Sequence, residues 1–279
     1  MDSYSDDDLT KLHKELLDIL QEVCRICEQL NICCFTTGGT AIGAYYFNGF
    51  VKWDDDIDLG MLRKDYDLFL KEAPKLVSKG FFVQCLETDP LTPFYFIKVR
   101  KDGTQFIQKE YKDLPIHHGI FVDIFPFDHV PDNPIIARIH RRIVQYFEGS
   151  FLRRQLKQAI IEGQSALPAP LSNCIASLRY GILRMIPRRF FYWRLHLASS
   201  FFNHKECRYM DVIKSSVDHV PASSILAPSP ILFEGIRLYA PSDLWGYIHN
   251  HYPDLKSADM LGSLWVSHAP YKLSFEKDK

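Results

Sequence analysis

Long hydrophobic runs are missing from this chain. No stretch of 18 apolar residues occurs, and Arg179 and Arg184 interrupt the most apolar segment, residues 171–186. A bilayer-spanning helix needs about 20 predominantly apolar residues, so none is expected. Net charge is equally scarce: 33 Lys+Arg against 34 Asp+Glu leave −1. The chain as a whole therefore lacks a nucleic-acid footprint, and no nucleic-acid partner is expected. The first residues, MDSYSDDDLTKL, are acidic and polar, unlike a secretory signal or a transit peptide. Seven cysteines, an odd number with no secretory signal, favour reduced thiols in a cytosolic protein over a disulfide framework. Internal repeats and low-complexity tracts are also lacking.

What remains is a globular composition. The 279 residues are 47% hydrophobic and 14% aromatic, enough to bury a large core. The charge is unevenly spread. Residues 136–208 hold 13 lysines and arginines against three acids, which leaves the remainder strongly acidic. That asymmetry suggests an acidic catalytic region beside a basic docking surface.

Periodicity predicts a helix over 9–30, with Leu9, Leu12, Leu16, Ile19, Leu20, Val23 and Ile26 on one stripe and Asp6 to Asp8 as N-cap candidates. Residues 32–37 read as a short buried strand. Gly38-Gly39 breaks it, a short helix runs from Thr40 to Phe47, and Asn48-Gly49 is a turn. Further strands are expected over 56–62, 81–86, 94–100, 104–108 and 119–125, the last ending at Pro126, with a helix over 64–77. From about 135 the chain turns basic, helical and aromatic, and from 211 it returns to short strands. The fold class is mixed α/β: a catalytic core over 1–134, a basic helical insertion over 135–210, and a closing segment over 211–279 packed on the core.

The window TGGTAIGAYYFNGFVKWDDDIDLGML, residues 37–62, is the most informative. On a strand alternate side chains share a face, so Asp56 and Asp58 point the same way, joined by Asp54 if the strand begins early. Like charges this close are unfavourable unless a cation sits among them. A hard divalent cation takes carboxylate and phosphate oxygens together. Ile57 and Leu59 on the other face anchor the strand in a core. A surface turn rich in Asp is the simpler reading of three consecutive acids, and the alternation within an apolar strand argues against it. Gly38, Gly39 and Thr40, between a strand and a helix N-terminus, suit close approach by phosphate. Asp123, flanked by Phe121 and Phe125, needs a partner. A metal, a proton abstracted from an acceptor hydroxyl, or a nearby Lys or Arg would each supply one. Lys98 and Arg100, near a strand end, are candidates to hold phosphate oxygens.

GGTAIGAYYFNGFVKWDDDIDLGMLRKDYDLF, residues 38–69, resembles the signature of LicD-type phosphocholine transferases. GIFVDIFPFD, residues 119–128, resembles the family's second block, and VSHAPYK, residues 266–272, a weaker C-terminal one. The resemblance implies a nucleotidyltransferase-like fold with Mg²⁺ or Mn²⁺ held by Asp56 and Asp58, together with Asp54. It implies transfer of phosphocholine from CDP-choline to a sugar hydroxyl of a glycopolymer or glycolipid, while fukutin-like relatives use CDP-ribitol. Gly38, Gly39 and Thr40 would then meet the donor phosphates. Where the family often has an Arg shortly after its glycines, this chain has Gly43-Ala44-Tyr45-Tyr46. His268 and Lys272 fall in the C-terminal block as candidates for closing the site. Two alternatives stand beside this reading: transfer of NMP with release of pyrophosphate, and a non-catalytic binding module of the same fold.

Other features read as structural. Cys24, Cys27, Cys33 and Cys34 have the spacing of a conceivable zinc site but fit buried thiols better. His117-His118 is assigned to turn chemistry first and acceptor binding second. Among Phe190, Phe191, Tyr192, Trp193, Phe201 and Phe202, most are assigned to the core. The interleaved arginines are assigned to an anionic membrane or acceptor surface, which makes the protein cytoplasmic and peripheral.

Overall fold

The computed structural model describes residues 4–155, 169–212, 220–255, 257–260 and 270–275. Helix α1 (Asp6–Leu30) begins three residues before its apolar stripe. Ser5, not an aspartate, is the N-cap and accepts from Asp8 N at 3.0 Å. Asp6, Asp7 and Asp8 instead fill the first turn, where the helix dipole favours acids. Asn31 ends the helix in the left-handed region, φ 52°.

The central sheet runs β1 (Phe35–Thr36), β2 (Asp58–Leu62), β6 (Phe121–Val130), β4 (Ile97–Lys101), β3 (Phe81–Gln84). Strand β7 (Tyr209–Val212) pairs with the far half of β6, and β8 (Val220–Pro221) pairs with β7. β2 and β6 are parallel and the other pairs antiparallel, which makes this a mixed α/β sheet. Helices α1 and α3 (Arg63–Leu76) cover one face over Ile57, Leu59, Val99, Val122 and Ile124. Helix α2 (Gly38–Phe47) and helix α8 (Leu244–His251) cover the other with Phe35, Phe125 and Phe127. Burying a Leu- or Phe-sized side chain contributes about 1.5–3 kcal/mol, so these two layers fix the strands firmly.

β6 passes through Pro126, where the sequence places its end. The physical reason lies in the pairing. Asp123 N donates to Ile57 O on the β2 side at 2.9 Å, so the nitrogens of even-numbered residues face the other neighbour. There β4 pairs only as far as Ile124 and β7 begins at Phe127. Pro126 lies in the gap, and its missing N–H costs no ladder bond. β2 is shorter than expected and starts at Asp58, although Ile57 O already joins the ladder.

Beyond the sheet lie α4 (Pro134–Arg153), α5 (Ala169–Met185), α6 (Arg188–Ser199) and α7 (Ala222–Leu226). The hairpin of β9 (Ser229–Phe233) and β10 (Ile236–Ala240) turns through Glu234 and Gly235, both at positive φ, as a two-residue turn requires. Strand β5 (Gln105–Ile107) pairs with β11 (Lys272–Ser274). Gly43 of α2 lies against the following loop: a Cβ there would collide with Gly49 O and stand 3.1 Å from Val51 N. Gly43→Ala should cost about 1–3 kcal/mol by overpacking, read as a lower midpoint in chemical denaturation.

Candidate active site

Asp58, Asp123, Lys98 and Gln84 are register partners across β2, β6, β4 and β3, so the four side chains form one row on one face of the sheet. Asp58 is fixed through its backbone. Its N–H donates to Thr40 Oγ1 at 2.8 Å, and its carbonyl accepts from Thr37 N at 3.1 Å. Gly38 stands against it at φ +54°, and a Cβ at Gly38 would lie 2.7 Å from Asp58 Oδ2. Glycine is thus required there both by conformation and by close approach. Tyr247 of α8 supports the same turn: its hydroxyl makes a short bond with Thr37 Oγ1 and accepts from Gly38 N at 3.2 Å.

The loop leading into β2 brings three more acids. One oxygen each from Asp54, Asp55 and Asp56 lies within 4.8 Å of the others. Asp54 and Asp55 are buried and Asp56 half-buried, and Asp54 Oδ2 is buried without a hydrogen-bond partner. Helix α1 and the residue before its cap hold this loop. Tyr4 donates to Asp55 Oδ2 at 2.5 Å, and His13 Nε2 meets Asp54 O at 2.8 Å while its ring stacks on Phe50 at 3.9 Å. Burial pushes the His13 pKa down, and because Asp54 O can only accept, Nε2 carries the proton of this bond. Phe50 N in turn donates to Glu234 Oε1 at 3.1 Å, and Glu234 N donates to Asn48 O at 2.8 Å.

Burial, then the charge of Asp58, then that of Asp55, push the Asp54 carboxyl well above the usual range. Burial, Asp58 and Asp54 do the same to Asp56. Folded pKa values above the unfolded ones mean the native state binds more protons, so these groups weaken the fold as pH rises through the window between the two. A set of carboxylate oxygens, one of them orphaned, fits a hard divalent cation, which would relieve the repulsion.

The row continues away from the acids. Asp123 accepts from Lys98 Nζ with both oxygens, at 2.6 and 2.8 Å, and Lys98 also lies over the Phe121 ring at 3.4 Å. Of the partners the sequence allows for Asp123, the structure supplies a lysine. Arg100 is buried, donating to Gln84 Oε1 at 2.6 Å and to Gly119 O at 2.5 Å, and burial lowers its pKa to about 10. Thr40 is buried as well, its hydroxyl oxygen serving Asp58 N. Lys272 sits on β11 opposite Ile107, in a different sheet from the row. His268 lies outside the described residues. Among the described residues the aspartates are the one candidate metal cluster, and Cys24, Cys27, Cys33 and Cys34 are free, with Cys27 and Cys34 buried. Tyr4, His13, Glu234 and Tyr247 escape sequence reasoning, because each is an ordinary polar residue far along the chain from the loop it holds. Lys98→Met would leave Asp123 buried and unpaired at a cost of about 3–5 kcal/mol, and Lys98→Met with Asp123→Leu should recover most of it in equilibrium denaturation.

Residues 31–155 match the family described as LicD/FKTN/FKRP, nucleotidyltransferase domain. That segment holds the glycine turn, all four aspartates, Lys98 and Asp123. The "Lipopolysaccharide cholinephosphotransferase LicD" of Haemophilus influenzae is 32% identical over 167 residues, 58% of this chain and 61% of that relative. The chain therefore spans about three fifths of the relative's length. Residues 31–155, which carry the glycine turn and the aspartates, are thus similar to the nucleotidyltransferase domain of that family.

Proposed function

We propose that this protein transfers phosphocholine, or a related phospho-alcohol, from a CDP-linked donor to a sugar hydroxyl of lipopolysaccharide or another glycan, releasing CMP. The named activity of the Haemophilus relative supports the transferred group and the acceptor class. The observation that carries the reading is the buried acidic cluster with its orphaned Asp54 Oδ2. A bound divalent cation would relieve that repulsion and give the orphaned oxygen a partner.

In this reading Asp54, Asp56 and Asp58 hold Mg²⁺ or Mn²⁺. The ion supplies charge neutralisation at the donor diphosphate. The chain's own groups do the rest. The turn at Gly38 and Gly39 lets phosphate oxygens approach the backbone at the start of α2. Thr40 keeps Asp58 at the head of β2. The acceptor oxygen attacks the phosphorus bearing choline, the bond to the CMP phosphate breaks, and CMP leaves with the electron pair. Asp123, beside Asp58 in the row and oriented by Lys98, takes the hydroxyl proton.

The purified protein with Mg²⁺, CDP-choline and lipopolysaccharide should release CMP, and a chelator should stop it. CDP-ribitol in the same assay separates the head groups. Asp56→Asn and Asp58→Asn should each lower turnover about 10³-fold while the protein stays folded. Pyrophosphate from CTP in place of CMP, or full activity in folded Asp58→Asn, would overturn the proposal.

Without the cation, Asp56→Asn should be more thermostable than the parent at pH 8, because it removes one of the crowded charges. The gain should shrink toward pH 4, where the acids of the parent are protonated, and parallel melting curves check this.

A further inference from the structure

We infer that α4 and α6 together form a docking face for the surface of an anionic phospholipid membrane. The observation is an excess of exposed apolar side chains on two neighbouring helices that are already packed. α4 buries one stripe, Ala137, Val144 and Phe151, against the protein. It carries a second stripe outward: Ile136, Ile139, Ile143 and Tyr146, at steps of three and four residues. Ile139 is 55% exposed and Tyr146 62%. α6 repeats the pattern. Phe191, Tyr192 and Leu195 are buried, whereas Phe190, Trp193 and Leu197 are exposed, Trp193 at 50%. This corrects the assignment of most of these aromatics to the core: Phe190, Trp193 and Phe201 lie outside it.

The two outward stripes meet. Ile136, Ile139, Ile143, Leu197, Phe201 and Phe202 are among the residues lining an apolar trough of about 330 Å³, with Arg194 at its side. Arginines border each stripe. At 100° per residue, Arg138 and Arg142 fall along one edge of the α4 stripe, and Arg189 and Arg194 fall on either side of the α6 stripe. All four are exposed, and Arg194 lies over the Phe190 ring at 5.2 Å. Among the described residues no helix is long and apolar enough to cross a membrane. Apolar ridges edged by basic side chains suit helices lying in the plane of the interface, with the rings and aliphatic groups in the acyl boundary and the guanidinium groups at lipid phosphates.

Charge decides between a membrane and a second copy of this chain. Residues 136–208 hold 13 lysines and arginines against three acids. A two-fold dimer through this face would set arginine rim against arginine rim, whereas an anionic lipid surface neutralises both rims. The inference does not depend on the transfer reaction, because neither helix supplies a residue to the acidic site.

Sedimentation with vesicles tests it. The full chain should pellet with vesicles of phosphatidylcholine containing about one third phosphatidylglycerol, far less with phosphatidylcholine alone, and less again at 0.5 M salt, where surface charge is screened. Arg138→Gln/Arg142→Gln/Arg194→Gln should weaken partitioning about 100-fold. Ile139→Gln/Ile143→Gln/Trp193→Gln should weaken it at least 10-fold. These side chains are exposed, so unchanged circular dichroism and melting should confirm both variants as folded. Three results would overturn the inference: no pelleting of the parent at low salt, undiminished pelleting of both variants, or a parent dimer that the apolar variant converts to monomer.

Discussion

Mutual repulsion among four aspartates within five residues, Asp54, Asp55, Asp56 and Asp58, is the constraint on which the rest of the architecture depends. A loop carrying these charges alone would open toward water. Here it is clamped from several directions. Asp58 begins a strand wedged in a parallel pair, Tyr4 approaches from just before the first helix and His13 from within it, and Glu234 reaches in from the hairpin turn. The clamping stores unfavourable electrostatics in the folded state, which the cation of the proposed function would relieve.

The same clamps explain why distant parts of the chain are needed to build a site whose chemistry lies in one short window. Tyr247 is 210 residues from Thr37, yet its hydroxyl secures the turn against Asp58. Glu234 adopts a positive φ that its residue type disfavours, and the turn it makes is fastened to Asn48 and Phe50, just upstream of the acids. The hairpin and α8 thus act on the acidic loop by holding its approaches, while α1 holds its buried side.

Much of this was legible beforehand. The alternation of Ile57, Asp58 and Leu59 gives one core face and one site face, and the burial of Ile57 and Leu59 agrees with it. The glycine turn beside the acids was readable because only glycine tolerates φ +54° so near a carboxylate. What the sequence could not reveal was pairing across strands. The row from Asp58 through Asp123 to Lys98 and Gln84 exists only once register is fixed. Lys98 and Arg100 read as candidates to hold phosphate oxygens, and in the sheet they are buried donors to Asp123, Gln84 and Gly119. The assignment of most of the 190–202 aromatics to the core also failed, because a helix that buries one apolar stripe, as α6 does with Phe191, Tyr192 and Leu195, can carry a second facing outward.

A titration with Mn²⁺ followed by electron paramagnetic resonance tests the central claim most directly. The account predicts one tightly bound ion per chain, tightened further by CDP-choline, with binding lost when Asp54 and Asp56 are both replaced by asparagine in protein that remains folded. Free Mn²⁺ signal undiminished by the parent protein, or equal binding by the double variant, would contradict it.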